Sequence, residues 1–376
     1  MVWKTEELIN LCIVFDDGDW IESKDQSELG IRLVQTGNVG IGQFLNKEKR
    51  ARYISEETFK RLNCSEIFAG DCLISRLPDP VGRACIIPDQ RQRMITAVDC
   101  TIIRFEKSKI LPEFFVYYSQ SNQYYSKINV QTTGTTRDRI SRNKLGKISI
   151  PLPPLDEQHR IVEKLDAAFA AIDQAIANTR QNLSNARELF EAELSSIKIN
   201  KQALGNYINI ITGKLDANAA VPDGAYPFFT CSRDVYKIDK FAFDTEAILL
   251  AGNNAVGDFN VKHYCGKFNA YQRTYILTIN GNNLLMYRFL YYQLLNSLSE
   301  LKKNSVGANT RFLKLDMIKN LKISIPEISE QKILVDKLDL LYTKVQQLEA
   351  LYQQKLDNLS ELKQSILHKA FQGELT

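Results

Sequence analysis

The sequence predicts an α+β protein built as a tandem: two α/β segments related by a pseudo-two-fold axis, separated by two long helices that pair antiparallel within the chain. Three observations carry this. The phrase ISIPLPPLDEQHRIVEKLD at 148–166 returns, shortened, as ISIPEISEQKILVDKLD at 323–339. Glycine and proline vanish after each copy: no proline lies between Pro154 and Pro222, no glycine between Gly146 and Gly205, and beyond Pro326 only Gly373 remains. The stretches so cleared carry apolar residues at every seventh position, the pattern of a helix seam.

The repeat is regular in detail. Gly134 matches Gly307, Glu157-Gln158 match Glu330-Gln331, and Lys164-Leu165-Asp166 match Lys337-Leu338-Asp339, all 173 positions apart. Ile-Ser-Ile-Pro is offset by 175, because the second copy lacks two residues after its proline. The expected domains are therefore 1–150 (α/β), 151–200 (helical spacer), 201–325 (α/β) and 326–376 (helical spacer).

Within the first segment the runs IRLVQ, DCLISR, RACIIP and TIIRF read as strands, separated by Gly, Asn and Asp. An aromatic helical stretch, PEFFVYYSQSNQYYSKI, leads to the polar loop QTTGTTRDRISRNK at 131–144. The phrase at 148–166 then ends a strand, breaks at proline and starts a helix after Asp156, with Glu157 next to it, acidic residues that favour a helix N-terminus. Its seam runs Val162, Phe169, Ile176, Leu183, Phe190, Ile197, with Leu165, Ile172, Thr179, Ala186 interleaved. The second segment repeats the plan: strands AILLAG and TYILTI, the aromatic stretch LLMYRFLYYQLLNSLSEL, and the loop KKNSVGANTRFLK at 302–314. Its helix starts after Ser329, with Leu338, Val345, Tyr352, Leu359, Ile366 alternating with Leu334, Leu341, Leu348, Lys355, Leu362. Two seams of equal length can satisfy each other over about 60 Å at 1.5 Å per residue; a homodimeric coiled coil is the alternative.

Composition is that of a globular protein, with 44% hydrophobic and 24% charged residues. Apolar runs such as LCIVF at 11–15 are too short for a membrane span, and Glu6-Glu7 ahead of that run argue against a signal peptide, so a cytoplasmic protein is expected. Seven cysteines without a CxxC pair, and three scattered histidines, suit reduced thiols and no zinc site. Residues 1–150 carry 22 basic and 19 acidic side chains and 201–328 carry 15 and 10, whereas 156–200 carry 5 and 8 and 329–376 carry 6 and 7. The α/β segments are the basic parts of the chain, which allows a polyanionic partner there.

The two Gly/Thr/Asn loops combine free backbone N–H groups, hydroxyls and guanidinium groups, a mixture suited to phosphate; ordinary turns with solvated charges would look the same. Their candidate residues are Thr135, Thr136, Arg137 and Arg139, then Lys302, Lys303, Asn309, Thr310 and Arg311. In NVKHYCGKFNAYQRTYIL, the groups Lys262, Lys267, Asn269, Tyr271, Gln272 and Arg273 mix basic, aromatic and amide chemistry that can read or clamp DNA, although a half-buried strand pair gives similar alternation. Arg76, Arg91 and Arg93 could serve likewise in the first segment, or lie on plain surface.

No phosphate loop, dinucleotide fingerprint, nucleophile elbow, Asn/Asp-Pro-Pro-aromatic motif or ordered PD…ExK set is present. Nothing in the sequence assembles a catalytic constellation. The doubled Ile-Pro-Leu-Pro-Pro-Leu-x-Glu-Gln-x-x-Ile (Ile150 to Ile161, abbreviated at Ile325 to Ile333), each copy opening a long helix after a Gly-Thr-rich Arg loop, resembles the specificity subunits of type I restriction-modification systems. The resemblance runs the whole chain, including Leu-His-Lys-Ala-Phe-x-Gly-Glu-Leu at 367–375, and departs where Glu327-Ile328 replaces the Pro-Pro pair. It implies two target-recognition domains reading the halves of a split sequence in double-stranded DNA, with the helices as a ruler. It also implies a chain that is no enzyme and binds no cofactor itself: a pair of methyltransferase subunits would hold S-adenosylmethionine, and restriction/translocase subunits would use ATP and Mg. Two other classes stay open on the residues alone: a self-sufficient methyltransferase or nuclease with an unrecognised site, and a protein-binding scaffold.

Overall fold

The computed structural model describes residues 3–134, 137–195, 201–281 and 284–375. The chain divides into two compact units, Met1–Asn178 with Gln354–Thr376, and Thr179–Gln353, so each long helix gives one stretch to each unit.

In the first unit, strands β1 (Lys4–Glu7), β2 (Cys12–Asp17), β3 (Ile31–Val34) and β4 (Arg52–Ile54) precede helix α1 (Glu56–Leu62). Strands β5 (Glu66–Ile67), β6 (Cys72–Ser75), β7 (Ala84–Ile86), β8 (Met94–Thr96) and β9 (Cys100–Phe105) follow. They form two four-stranded sheets, ordered β2-β9-β6-β7 and β4-β3-β8-β5. The expected strand runs fall on β3, β6, β7 and β9; β6 and β9 are inner strands, and their near-continuous burial accounts for the apolar CLIS and CTIIRF. The aromatic stretch read as one helix is two, α2 (Pro112–Tyr118) and α3 (Asn122–Gln131). It breaks at serine: the Ser121 hydroxyl accepts the Tyr124 N–H at 3.2 Å, capping α3, and donates to the Tyr118 carbonyl at 2.7 Å. Helix α4 (Arg142–Gly146) and strand β10 (Ser149–Leu152) then lead into α5 (Leu155–Ser195), with β10 antiparallel to β1.

In the second unit come β11 (Lys201–Ala203), β12 (Ile208–Thr212), β13 (Tyr226–Phe229), β14 (Tyr236–Ile238), β15 (Phe243–Ala251), β16 (Asn253–Asn254), β17 (Val261–Ala270) and β18 (Thr274–Ile279). Helices α6 (Tyr287–Asn296) and α7 (Leu298–Asn304), strand β19 (Arg311–Phe312), helix α8 (Leu315–Lys319), strand β20 (Lys322–Ser324) and helix α9 (Ile328–Phe371) complete it. The order β12-β18-β15 repeats that of β2-β9-β6, all antiparallel, and the sheet continues through β17, β13 and β14. The β11–β20 pairing repeats β1–β10. Here too the aromatic stretch splits, at Ser297 between α6 and α7. The stretch from Asn260 to Leu277 supplies β17 and β18, but as strands on either side of β15 rather than a hairpin.

Both long helices start two residues earlier than expected, leaving Asp156 and Ser329 in the first turn. The repeated glutamine explains why the phrase recurs. Gln158, fully buried, accepts the Leu111 N–H at 2.9 Å and donates to the carbonyls of Lys109 and Pro153 at 3.0 and 2.9 Å. Gln331, equally buried, accepts the Met286 N–H at 2.9 Å and donates to Leu284 and Pro326 carbonyls at 2.7 and 2.8 Å. Each glutamine thus staples its helix start to the turn ahead of the aromatic helix, pairing buried and part-buried backbone groups with one side chain. Eight residues on, Asp166 accepts the Tyr117 hydroxyl and Asp339 accepts the Tyr292 hydroxyl, a second equivalent tie.

The helices pack on each other inside each unit. In the first, Ile161, Leu165 and Phe169 share a core with Leu367, Ala370, Phe371 and the aromatics Phe114, Phe115, Tyr118 and Tyr124. In the second, Phe190 joins Val335, Leu338, Val345, Phe289 and Tyr292. Lys164 reaches the Leu375 carbonyl while Asp173 pairs with Lys363, and Arg187 meets Glu349 while Glu193 meets Lys337, so the sense is antiparallel in both. This is the intramolecular pairing, not the homodimeric alternative. The seam itself drifts. Leu165, Ile172, Thr179 and Ala186 are all buried, whereas Leu348 and Leu362 of α9 are 37% and 45% exposed. A straight helix turns about 20° per heptad away from a seven-residue repeat, so one series cannot face the partner throughout. Ile197 lies outside the described residues.

Candidate nucleic-acid interface

The two loops singled out in the sequence have one backbone design. In the first unit Thr133 and Arg139 exchange backbone hydrogen bonds of 2.9 Å; in the second Val306 and Phe312 do so at 3.1 and 2.7 Å. Each ring holds its glycine just after the first partner. A Cβ on Gly134 would lie 2.1 Å from the Arg137 carbonyl oxygen, and one on Gly307 would lie 2.0 Å from that of Thr310, so neither position admits a side chain without opening the loop. Both rings are tethered to a sheet: Ile140 donates to the Arg76 carbonyl just beyond β6, and Leu313 donates to the Gly252 carbonyl just beyond β15.

The side chains divide into those turned inward and those left outside. Arg137 is exposed, with no ion pair among the described residues. Thr135 and Thr136 lie outside the described residues. Arg139 approaches Asp99 at 2.9 Å as an ion pair lacking the alignment of a hydrogen bond, and Arg142 pairs with Asp16. Arg76, expected on a DNA-facing surface, is instead 4% exposed, 3.3 Å from Asp17 and donating to the Val98 carbonyl. Burial holds its guanidinium below the ordinary value, with Asp17 pulling the other way. Arg93 forks onto Glu66 with two 2.9 Å bonds, also meets Glu56, and lies over the Phe59 ring. Arg91 is exposed and free of ion pairs among the described residues.

In the second unit Arg311 winds back into its own loop, donating to Ser305 Oγ at 2.9 Å, the Ser305 carbonyl at 2.6 Å and the Gly307 and Lys302 carbonyls at 3.5 and 3.4 Å. Asn309 is exposed at the loop tip and Thr310 half-buried; Lys302 and Lys303 are exposed at the end of α7. Asn269 is another correction: it is buried, donating to the Lys240 carbonyl at 3.0 Å and accepting the Ala270 N–H. Lys262 donates to the Ser232 carbonyl and Asn260, and burial lowers its pKa. Here the half-buried strand reading applies, since β17 turns these side chains toward its neighbours. Lys267 lies over the Phe241 ring, Tyr271 is half-buried, Gln272 binds Asp216, and Arg273 is exposed. Asp17, Asp99 and Lys314 carry no local signal of a site in the sequence; strand register and loop tethering bring them to this place. No group of three or more metal-ligating side chains is found among the described residues, and no helix there is long and apolar enough to cross a membrane.

Two α/β units that each present an arginine-bearing glycine ring at strand ends, and each hang on a helix through the same buried glutamine, define a duplicated recognition protein. The chain belongs to the type I restriction modification DNA specificity domain family, whose model matches residues 3–183 and 197–358. That family is one of non-catalytic specificity subunits. It is 42% identical over 173 residues to the EcoDI specificity subunit of Escherichia coli, an alignment spanning 46% of this chain and 38% of that protein. It is 26% identical over 331 residues to the StySPI specificity subunit of Salmonella potsdam, covering 74% of this chain and 68% of that one. A solved chain described under the structural basis of complex assembly and conformational transition of the type I R-M system shares the fold, with TM-score 0.73 and 19% identity over 99% of this chain and 98% of that one.

Proposed function

We propose that this chain is the cytoplasmic subunit that gives a type I restriction-modification complex its DNA sequence preference. The lobes at 1–150 and 201–325 each read one half of a bipartite duplex target, and the helical spacers at 151–200 and 326–376 set the gap between the halves. Adenine methylation would come from a pair of methyltransferase subunits holding S-adenosylmethionine, and restriction from translocase subunits using ATP and Mg. The observation that carries this reading is the equivalent ring-plus-staple built twice, once per unit. The exposed cations Arg91, Arg137, Lys267, Arg273, Lys302 and Lys303 are the groups we assign to phosphate, while Arg76, Asn269 and Arg311 are turned into the scaffold. Along α9 in the second unit, Ile333, Leu340 and Leu351 are 69%, 58% and 60% exposed and fall on one helix face, which suits a protein partner. Methylome sequencing of cells expressing the chain with its methyltransferase partner tests the reading: two short half-sites around an unspecified gap are expected, and a single continuous site would sink it. Methylation or cleavage by the purified chain alone would favour an enzyme instead.

A further inference from the structure

The two rings are built alike, but the ground beneath them differs. Backbone bonds fix which residues correspond. Arg76 donates its N–H to the Asp99 carbonyl at 2.9 Å and accepts from Ile140; Gly252 donates to the Arg273 carbonyl at 2.9 Å and accepts from Leu313. Strand register adds that Asp17 faces Thr101 as Thr212 faces Tyr275. Gly252 therefore stands where the first unit has Arg76, Arg273 where it has Asp99, Thr212 where it has Asp17, and Phe312 where it has Arg139.

These exchanges reverse the electrostatics. In the first unit the place is filled and internally neutralised, with Arg76 beside Asp17 and Arg139 beside Asp99. In the second, both carboxylates and both of those arginines are gone. What remains is a cleft of about 560 Å³ whose charged lining residues are Arg273 and Lys314, flanked by Tyr275 and Phe312. Neither cation makes an ion pair among the described residues, and both are exposed. Neither Asp216, which holds Gln272, nor Asp316, one residue beyond the lining Leu315, lines the cleft. Gly252, which lines the cleft, has no room for a side chain: a Cβ there would sit 2.3 Å from the Arg273 carbonyl oxygen and 2.9 Å from the Tyr275 ring.

We propose that this cleft is an anion pocket in which Arg273 and Lys314 grip one backbone phosphate of the DNA, so that the second lobe carries an anchoring contact whose counterpart in the first lobe is closed by its own ion pairs. A guanidinium fork beside an ammonium suits a phosphate diester, and removal of such a contact is read through counterion release rather than through sequence. The inference rests on the DNA-reading function proposed above.

The test uses the full chain in complex with its methyltransferase subunits. Binding to two labelled duplexes of equal length, one carrying the target and one scrambled, is titrated over a range of salt for wild type and for Arg273→Gln/Lys314→Gln, with melting midpoints confirming the fold. The slope of log affinity against log salt should become shallower by about one on both duplexes. Unchanged slopes on both would overturn the inference while leaving the DNA reading intact. So would a loss confined to the target duplex at unchanged slope, which would mark a base contact instead. A wild-type complex that bound neither duplex would overturn the DNA reading itself, and the pocket with it.

Discussion

Arg137 and Arg311 look interchangeable in the sequence, each an arginine in a Gly/Thr/Asn loop, yet the structure turns one out and the other in. Arg137→Ala should make the salt slope of DNA binding shallower by about one with no change in melting midpoint. Arg311→Ala should instead lower the midpoint, because it strips the guanidinium donors from the Ser305 carbonyl and Oγ beside the ring. Equal midpoints for the two variants would contradict that division. The cysteines separate in the same way. Burial pushes the Cys85 thiol up to about 12 and Cys100 up to about 11, and raises Cys72 as well. These thiols stay protonated at pH 8, so alkylation there should label exposed Cys265 first and reach the buried three only in denaturant. Early labelling of Cys85 would contradict that burial. Nothing local in the sequence distinguishes these cases, since inward or outward is decided by neighbours tens of residues away.

At the scale of elements, the two long helices and the strands β3, β6, β7, β9, β15 and β18 were legible because their signals are local and periodic: cleared glycine and proline, heptads, and β-branched runs. The helix break at Ser121 and the insertion of β15 between β17 and β18 were not, because a serine cap and a strand order depend on what packs alongside. The repeated Glu-Gln was legible as a mark but not as a device. Gln158→Leu or Gln331→Leu would take the partner from one buried and two part-buried backbone groups, at about 1–3 kcal/mol for the buried one and less for the others. A denaturation midpoint within error of wild type for either variant would show that the staple is dispensable. Leu165→Ala, at a fully buried seam position, should cost about 2–5 kcal/mol by the same measurement.

For the whole molecule, the proposed ruler makes a geometric prediction. Adding four residues to both α5 and α9 within their paired stretches lengthens each by about 6 Å, and the gap between half-sites should grow by on the order of one to two base pairs with both half-sites unchanged. Methylomes before and after the insertion check it; an unchanged gap would show that the helices do not set the spacing. The tandem, the two long helices and the family likeness are legible along the chain alone, because each is written there as repetition or periodicity. Tertiary contacts settle what the repeated glutamine ties, which arginines are internal ties, and that Gly252 lines a cationic cleft where the first unit has Arg76 beside Asp17. Those outcomes depend on strand register and backbone hydrogen bonds between distant segments, and no local pattern encodes the meeting of Arg76 with Asp17 or the lining of one cleft by Arg273 and Lys314.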